Sequence, residues 1–253
     1  MAPRLNFSAK DFKNMRLLFF DMEFANGQVP GSIYSIGYVV TDENFEVLVP
    51  LTDLLINPAC EWNDYVEKNI LVYPKAEVES APELPMLYGK IRELFEGVDM
   101  AIGFAVNNDV RALRKNCERY GLEQLSYRAF DTERLCRKVE EHKDAHGLAG
   151  YFRAWCGEEP DNRHRSDGDA YATMLLFRKI CEAKHVTPEM MFTAYPECVQ
   201  SSVQPISNSK QSAAAKGKGR GGWSGKRHRR GRRGGKKSSI SPSPKAADTS
   251  SAT

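Results

Sequence analysis

The chain has 253 residues, enough for one large domain or two small ones, and the composition of an ordinary soluble globular protein. Its charge is uneven: residues 201–253 contain 13 of the 36 Lys and Arg residues and one acid, a net charge of +12, which leaves −9 on residues 1–200. The apolar run Leu17–Phe20 is too short for a membrane span or a signal-peptide core. We therefore expect a cytoplasmic protein (nuclear, if the source is a eukaryote) that makes no membrane contact and whose basic end binds a polyanion.

The first part of the chain predicts three strands joined by short loops. The segment Arg16–Glu23, RLLFFDME, has the apolar run of a buried strand, and further strands are predicted at Ile33–Thr41 and Phe45–Pro50. Their short connections predict an antiparallel meander. Residues 51–80 are expected to be irregular, with one short helix near Trp62–Ile70.

The following part alternates predicted strands and helices. Two more strands are predicted at Val98–Phe104 and Tyr127–Phe130. Apolar spacing and cap residues predict helices that begin at Ser80, Asn107, Asp131, His146, Ser166 and Pro188. This order predicts an α/β domain over residues 1–200, with a mixed five-stranded sheet and flanking helices. Residues 201–253 have few large apolar side chains and predict a disordered, Lys/Arg/Gly-rich tail.

The first predicted strand ends in two acids, Asp21 and Glu23. Because side chains alternate along a strand, the two carboxylates point the same way. Two carboxylates at the end of a buried strand repel each other and lose hydration, which a divalent cation would offset. The alternative is that both acids lie in solvent beyond the strand end.

A third acid, Asp109, begins the helix that follows the fourth predicted strand. If the first and fourth strands are adjacent and parallel, their carboxyl ends share one edge of the sheet, where ligands bind in open α/β folds. Asp109 would then face Asp21 and Glu23. Alternatively, Asp109 only stabilises the N-terminus of its helix through the helix dipole.

His164 and Asp169 lie where a polar loop enters the long helix that begins near Ser166. A separation of five residues lets both side chains point into one pocket. A surface histidine and a capping acid are the alternatives for these two positions. We interpret Asp167 as a cap or a solvent-facing residue.

Three segments together resemble the motifs of the DEDDh 3′–5′ exonucleases. They are LFFDMEF at 18–24, GFAVNNDVRAL at 103–113 and HRSDGDAYATMLL at 164–176, within a resemblance that covers about residues 15–185. The family includes the proofreading subunit of bacterial replicative polymerases, RNase T and oligoribonuclease. The resemblance implies a ribonuclease H-like fold.

The chain departs from the family pattern at three positions. Phe104 stands where many members have a histidine after the glycine, and Asn108 stands where many have an aromatic residue before the aspartate. Ser35 stands where members often have Glu, two residues before Gly37. The five motif residues themselves are all present.

The resemblance also implies a reaction. Two divalent ions, Mg²⁺ or Mn²⁺, would be held by Asp21, Glu23, Asp109 and Asp169, with Asp21 bridging both. His164 would be the general base, with a pKa suited to neutral pH. The substrate would be the 3′ end of a single strand, RNA slightly favoured over DNA, and the products nucleoside 5′-monophosphates.

Four further residues are candidate substrate contacts: Met22, Phe24, Phe104 and Asn108. For Met22 the alternative is core packing, because it points to the opposite face of the strand from Asp21 and Glu23.

The basic tail is a candidate nucleic-acid contact, since Lys and Arg bind phosphates and a Trp can stack on a base. The residues concerned are Arg220, Trp223, Lys226, Arg227, Arg229, Arg230, Arg232 and Arg233. A solubilising tail and a nuclear import signal are the alternatives. For the whole protein, the alternatives are an adaptor with an inactive nuclease-like domain, and endonuclease or transposase chemistry on the same fold.

Overall fold

The structure is a computed structural model that describes residues 15–139, 141–142, 144–161 and 165–203. The described residues belong to one compact unit, Met1–Ser207. His164 and the tail residues from Arg220 to Arg233 lie outside the described residues, as does most of the predicted tail.

A mixed sheet organises the described residues. Its strands are β1 (Leu17–Phe24), β2 (Ile33–Thr41), β3 (Val47–Leu55), β4 (Met100–Gly103), β5 (Arg128–Asp131) and β6 (Val199–Ser201). They lie in the order β3-β2-β1-β4-β5-β6. The predicted meander is confirmed, because β1, β2 and β3 pair antiparallel. The parallel pairing of β1 with β4, on which the expected position of Asp109 depends, is also present.

The prediction of a five-stranded sheet is wrong, because β6 adds a sixth strand antiparallel to β5. This segment is short and polar, so it has no strand pattern of its own. The contacts of this segment with the rest of the domain continue past residue 200, the predicted end of the domain. The Ser202 hydroxyl donates to the Leu125 carbonyl oxygen at 2.8 Å and accepts from the Tyr127 amide at 2.9 Å.

Strand β3 differs from its predicted limits, since it starts at Val47 and continues to Leu55 rather than ending at Pro50. Proline is tolerated there because β3 is at the edge of the sheet, where an N–H is not needed on the outer side. The longer strand brings Asp53 into the sheet, opposite Gly37 of β2.

Eight helices flank the sheet within the described residues. They are α1 (Asp64–Asn69), α2 (Lys75–Ser80), α3 (Leu84–Glu96), α4 (Asn107–Tyr120), α5 (Thr132–Lys138), α6 (Gly147–Cys156), α7 (Ser166–Lys184) and α8 (Pro188–Ala194). The helix predicted to start at Ser80 starts at Leu84, because Pro82 disfavours helical backbone in the residue before it. Helix α2 lies in a segment that was expected to be irregular.

The two faces of β1 are buried against different sets of helices. Leu17 and Phe19 pack with residues of α5 to α8, including Phe177, whereas Leu18 and Phe20 pack with residues of α3 and α4. Because side chains alternate, the next residues in the row of Leu17 and Phe19 are Asp21 and Glu23. The two acids therefore lie on the α7 face of the sheet. Among the described helices, none is long and apolar enough to cross a membrane.

Candidate active site

Three carboxylates meet at the carboxyl end of β1. Oxygen atoms of Asp21, Glu23 and Asp169 lie within 4.8 Å of one another, which is close enough for one cation to contact all three. Asp169 reaches this position from the first turn of α7, where its amide donates to the Arg165 carbonyl oxygen at 2.9 Å. The structure thus brings together three of the four carboxylates that the sequence singled out.

Asp109 lies next to this group without belonging to it. It is in the first turn of α4, directly after β4, and only 5% of its surface is exposed. Its negative charge contributes to the raised pKa values of both Asp21 and Glu23. Asp131 at the end of β5 adds to the negative charge around Asp109, and its carboxylate caps α5 by accepting from the Arg134 amide at 3.2 Å.

Burial and mutual repulsion make the ionised state of these acids unfavourable in the absence of a cation. The pKa of Asp21 is raised well above its usual range, by burial first and then by the charges of Asp109 and Asp169. Burial and the charge of Asp169 raise the pKa of Glu23 to about 8. Burial raises the pKa of Asp109 to about 7.

This donor set fits a hard divalent cation. Mg²⁺ and Mn²⁺ prefer carboxylate oxygens, and a cation at the three-carboxylate group would offset the repulsion that raises the pKa values. Asp109 lies outside this group of three, in the first turn of α4.

Asp53 is a further acid at this site that the sequence did not single out. Its carboxylate accepts hydrogen bonds from Ser166 at 3.0 Å, from Ser35 and from Tyr73. It also contributes to the raised pKa values of Asp21 and Glu23. The alternation of side chains along β3 could have indicated which face Asp53 is on, but Pro50, a residue that usually ends a strand, made the strand look as if it stopped before Asp53.

The predicted substrate contacts are placed in different environments. Met22 is 3% exposed and packs in the core, on the face of the sheet opposite to the acids. This is the core packing that was given as the alternative to a substrate contact. Phe104 packs against the core beneath α6, with its ring centroid 6.2 Å from that of Tyr151. Phe24 and Asn108 both line a groove.

This groove, the α4 groove, has a volume of about 400 Å³ and lies between the loop 26–32 and one face of α4. Its lining residues Phe24 and Asn108 are chain neighbours of Glu23 and Asp109, but Phe24 packs on the α3 and α4 side of the sheet, opposite to the acids. Arg111 and Lys115 line its α4 side. The loop approaches α4 closely at Gly31, which has a φ of +77° and leaves no room for a side chain beside Asn116.

The remaining candidates are Asp167, His164 and the tail residues. Asp167 accepts from the Gly168 amide at 2.8 Å and pairs with Arg165 at 3.0 Å; it lies in the first turn of α7, whose N-cap is Arg165. His164 and the eight tail residues lie outside the described residues, so their roles stay predictions.

No family model matches the chain, and no curated protein matches it either. Solved structures with similar folds are 3′–5′ exonucleases, consistent with the resemblance of the three motifs. The nuclease domain of 3′hExo, a DEDDh family member bound to rAMP, has a TM-score of 0.56 at 12% identity, over 68% of this chain and 94% of its own. A 3′-exonuclease that recognises a histone mRNA stem-loop has a TM-score of 0.56 at 11% identity, over 69% and 84%.

A third similar structure is the zinc-bound complex of E. coli exonuclease I with single-stranded DNA. Its TM-score is 0.60 at 18% identity, over 72% of this chain and 43% of exonuclease I. This chain therefore spans less than half the length of that enzyme. At these identities the comparisons show the fold: a mixed sheet with flanking helices, as in these exonucleases.

Proposed function

We propose that the protein is a metal-dependent 3′–5′ exonuclease that removes nucleoside 5′-monophosphates from single-stranded nucleic acid. The observation that carries this proposal is the meeting of Asp21, Glu23 and Asp169 within 4.8 Å on a fold shared with solved exonucleases. A purely structural role does not account for three carboxylates that burial and repulsion hold in an unfavourable state.

Asp21, Glu23 and Asp169 would hold one divalent ion, and Asp21 with Asp109 a second, with Mg²⁺ or Mn²⁺ as the fitting metals. Such ions supply an activated water at neutral pH and stabilise negative charge on a leaving oxygen. His164 would accept the proton of the attacking water, as a general base next to the start of α7.

The α4 groove is the proposed site for the nucleotide at the 3′ end. Its volume of about 400 Å³ is sufficient for one nucleoside, and two of its lining residues, Phe24 and Asn108, are chain neighbours of Glu23 and Asp109. Phe24 offers an aromatic ring to the base or sugar, and Asn108 offers an amide for hydrogen bonds. Arg111 and Lys115 provide positive charge for phosphates further along the strand.

The basic tail would add affinity that does not depend on sequence. A tethered run of Lys and Arg keeps the substrate at a high local concentration around the domain. Arg/Gly-rich composition and Trp223 favour RNA over DNA as the partner of the tail, and on this basis we propose RNA as the preferred substrate.

The test uses RNA and DNA oligonucleotides of one sequence, labelled at the 5′ end, with Mg²⁺ or Mn²⁺. We expect a ladder that shortens from the 3′ end, more rapidly with RNA, and no products when EDTA is present. Oligonucleotide binding without any ladder, under every metal condition, would contradict the exonuclease and support the adaptor alternative. Internal cleavage products without a ladder would indicate an endonuclease instead.

A further inference from the structure

A row of three residues crosses the first three strands on the α7 face of the sheet. Asp21 of β1 is opposite Gly37 of β2, and Gly37 is opposite Asp53 of β3. Residues in such a row point to the same face. Asp53 therefore faces the same side as Asp21, with only a glycine between them.

The N-terminus of α7 occupies the space above that glycine. A Cβ atom added to Gly37 would lie 1.9 Å from the carbonyl carbon of Ser166 and 2.0 Å from the amide nitrogen of Asp167. The first turn of α7 thus lies between Asp53 on one side and Asp21 on the other. Asp169, in the same turn, joins the carboxylates of Asp21 and Glu23.

Asp53 ties this turn to the sheet. Its Oδ1 atom accepts from the Ser166 hydroxyl at 3.0 Å and from the Ser35 hydroxyl, and the two serine hydroxyls also contact each other. Ser35 and Ser166 are both at most 1% exposed, so bulk water does not reach their hydroxyls to replace the carboxylate as a hydrogen-bond partner. The Oδ2 atom of Asp53 accepts from the Tyr73 hydroxyl.

A second contact fixes the same turn from outside. The guanidinium group of Arg165 lies 5.2 Å from the centre of the Tyr73 ring, within the range of a cation–π interaction. Arg165 also pairs with Asp167 through two hydrogen bonds of 3.0 Å. Tyr73 therefore links Asp53 to the residue that precedes α7.

We propose that Asp53 is a positioning residue for the metal-binding acids. It holds Ser166, and with it the first turn of α7, so that the Asp169 carboxylate, three residues further on, meets Asp21 and Glu23. This inference rests on the proposed metal site of the exonuclease.

The competing explanation is that Asp53 acts only through its negative charge, which would attract cations without fixing any geometry. Three substitutions distinguish the positioning role from the charge effect. Asp53→Ala removes both the acceptor and the charge, Asp53→Asn keeps an oxygen acceptor for the serines but removes the charge, and Ser166→Ala removes a donor while the charge remains.

The experiment is a calorimetric titration of Mn²⁺ into the full chain without nucleic acid, at a temperature where circular dichroism shows every variant folded. We expect Asp53→Ala and Ser166→Ala each to raise the Kd of Mn²⁺ by about 10–100-fold, the usual effect of losing a group that orients a ligand. The Kd of Mn²⁺ for the double variant should be little higher than the higher of the two single-variant values, because both changes break the same contact. Asp53→Asn should retain most of the affinity.

Unchanged Mn²⁺ affinity in Ser166→Ala would overturn the proposal. So would equal losses in Asp53→Asn and Asp53→Ala, which would identify a charge effect, and so would wild-type protein that binds no Mn²⁺. If the wild type binds Mn²⁺ in this titration but degrades no oligonucleotide in the separate cleavage assay, the exonuclease proposal is contradicted, and the Mn²⁺ affinities of the variants still decide the role of Asp53.

Asp42→Ala is the matched structural control. Asp42 is also a buried acid, 7% exposed, in the turn between β2 and β3, and accepts from the amides of Asn44 at 2.8 Å and Glu46 at 2.9 Å. It lies next to Thr41, which is opposite Leu17 at the other end of β1 from the acids. We expect this variant to lower the Tm without changing the Kd of Mn²⁺, which separates positioning from a general loss of stability.

Discussion

Ser166 lies directly against Gly37: the carbonyl carbon of Ser166 would be 1.9 Å from a Cβ atom at that position. This contact sets how close α7 approaches β2, and therefore where Asp169 lies. Both partners are backbone, so neither can move aside as a flexible side chain could. The glycine is thus required by the packing of the site.

We expect Gly37→Ala to displace the start of α7, lower the Tm and weaken Mn²⁺ binding together with nuclease activity. Gly89→Ala is the control, because Gly89 lies within α3 and an added Cβ would have no atom within 4 Å. Alanine at an exposed helical position stabilises by up to about 1 kcal/mol relative to glycine. A Gly37→Ala variant with wild-type Tm and Mn²⁺ affinity would show that α7 is not held by this contact.

The raised pKa values predict that metal-free protein loses stability as the pH rises. Glu23 has a pKa of about 8 in the folded protein, whereas a Glu in an unfolded chain ionises at about pH 4. Between these values the folded protein binds more protons than the unfolded chain, so the free energy of unfolding falls with pH. The contribution of the protonated Glu23 carboxyl to the free energy of unfolding is fully present below about pH 4. It is lost as the pH rises through about 8, the pKa of Glu23 in the folded protein.

Differential scanning calorimetry of wild type and Glu23→Gln tests this effect. In EDTA we expect the Tm of the wild type to fall below that of the variant as the pH rises to about 8, by about 2–4 °C for each kcal/mol lost. Saturating Mn²⁺ should reverse the order, because the metal binds the ionised folded site. Parallel Tm curves in EDTA would mean that Glu23 ionises normally in the folded protein.

His164 is expected to act on the proton rather than on the metal. We expect His164→Ala to reduce kcat by about 10²–10⁴-fold, the typical contribution of a general base, with an unchanged Kd for Mn²⁺. Single-turnover cleavage and calorimetry on the same preparation measure the two quantities. Loss of Mn²⁺ binding in this variant would show that His164 is a ligand or a structural residue.

The basic tail is expected to act through phosphates, which a truncation tests. The cut belongs after Ser207, at the end of the compact unit, because a cut at Ser201 would remove the Ser202 contacts with Leu125 and Tyr127. We expect the truncated protein to bind single strands more weakly, with a smaller dependence of the logarithm of the binding constant on the logarithm of salt concentration. An unchanged salt dependence would contradict a role of the tail in binding.

Much of the fold could be predicted because the apolar pattern is local. The run before Asp21 and the short connections between the strands were sufficient to predict the meander, whereas the parallel pairing of β1 with β4 was a condition that only the structure supplies. On that condition, Asp21, Glu23 and Asp109 were expected at one edge of the sheet. The structure places them there.

The parts that sequence reasoning missed depend on contacts between distant residues. Strand β6 is short and polar, and pairing with β5 is what makes it a strand. Asp53 follows Pro50, a residue that usually ends a strand, and its partners Ser35 and Ser166 are far apart in the chain. Nothing in the local pattern around Asp53 indicates those partners.

The central claim is that the acids at the end of β1 bind the cation that the reaction requires. The most direct measurement is Mn²⁺ titration by calorimetry, with 3′-end degradation assayed on the same samples, for wild type, Asp21→Asn and Asp169→Asn. We predict that the wild type binds Mn²⁺ and degrades the strand, and that both variants lose both properties while keeping or raising their Tm in EDTA, because repulsion is relieved. Full degradation by either variant, or Mn²⁺ affinity equal to that of the wild type, would contradict this account of the site.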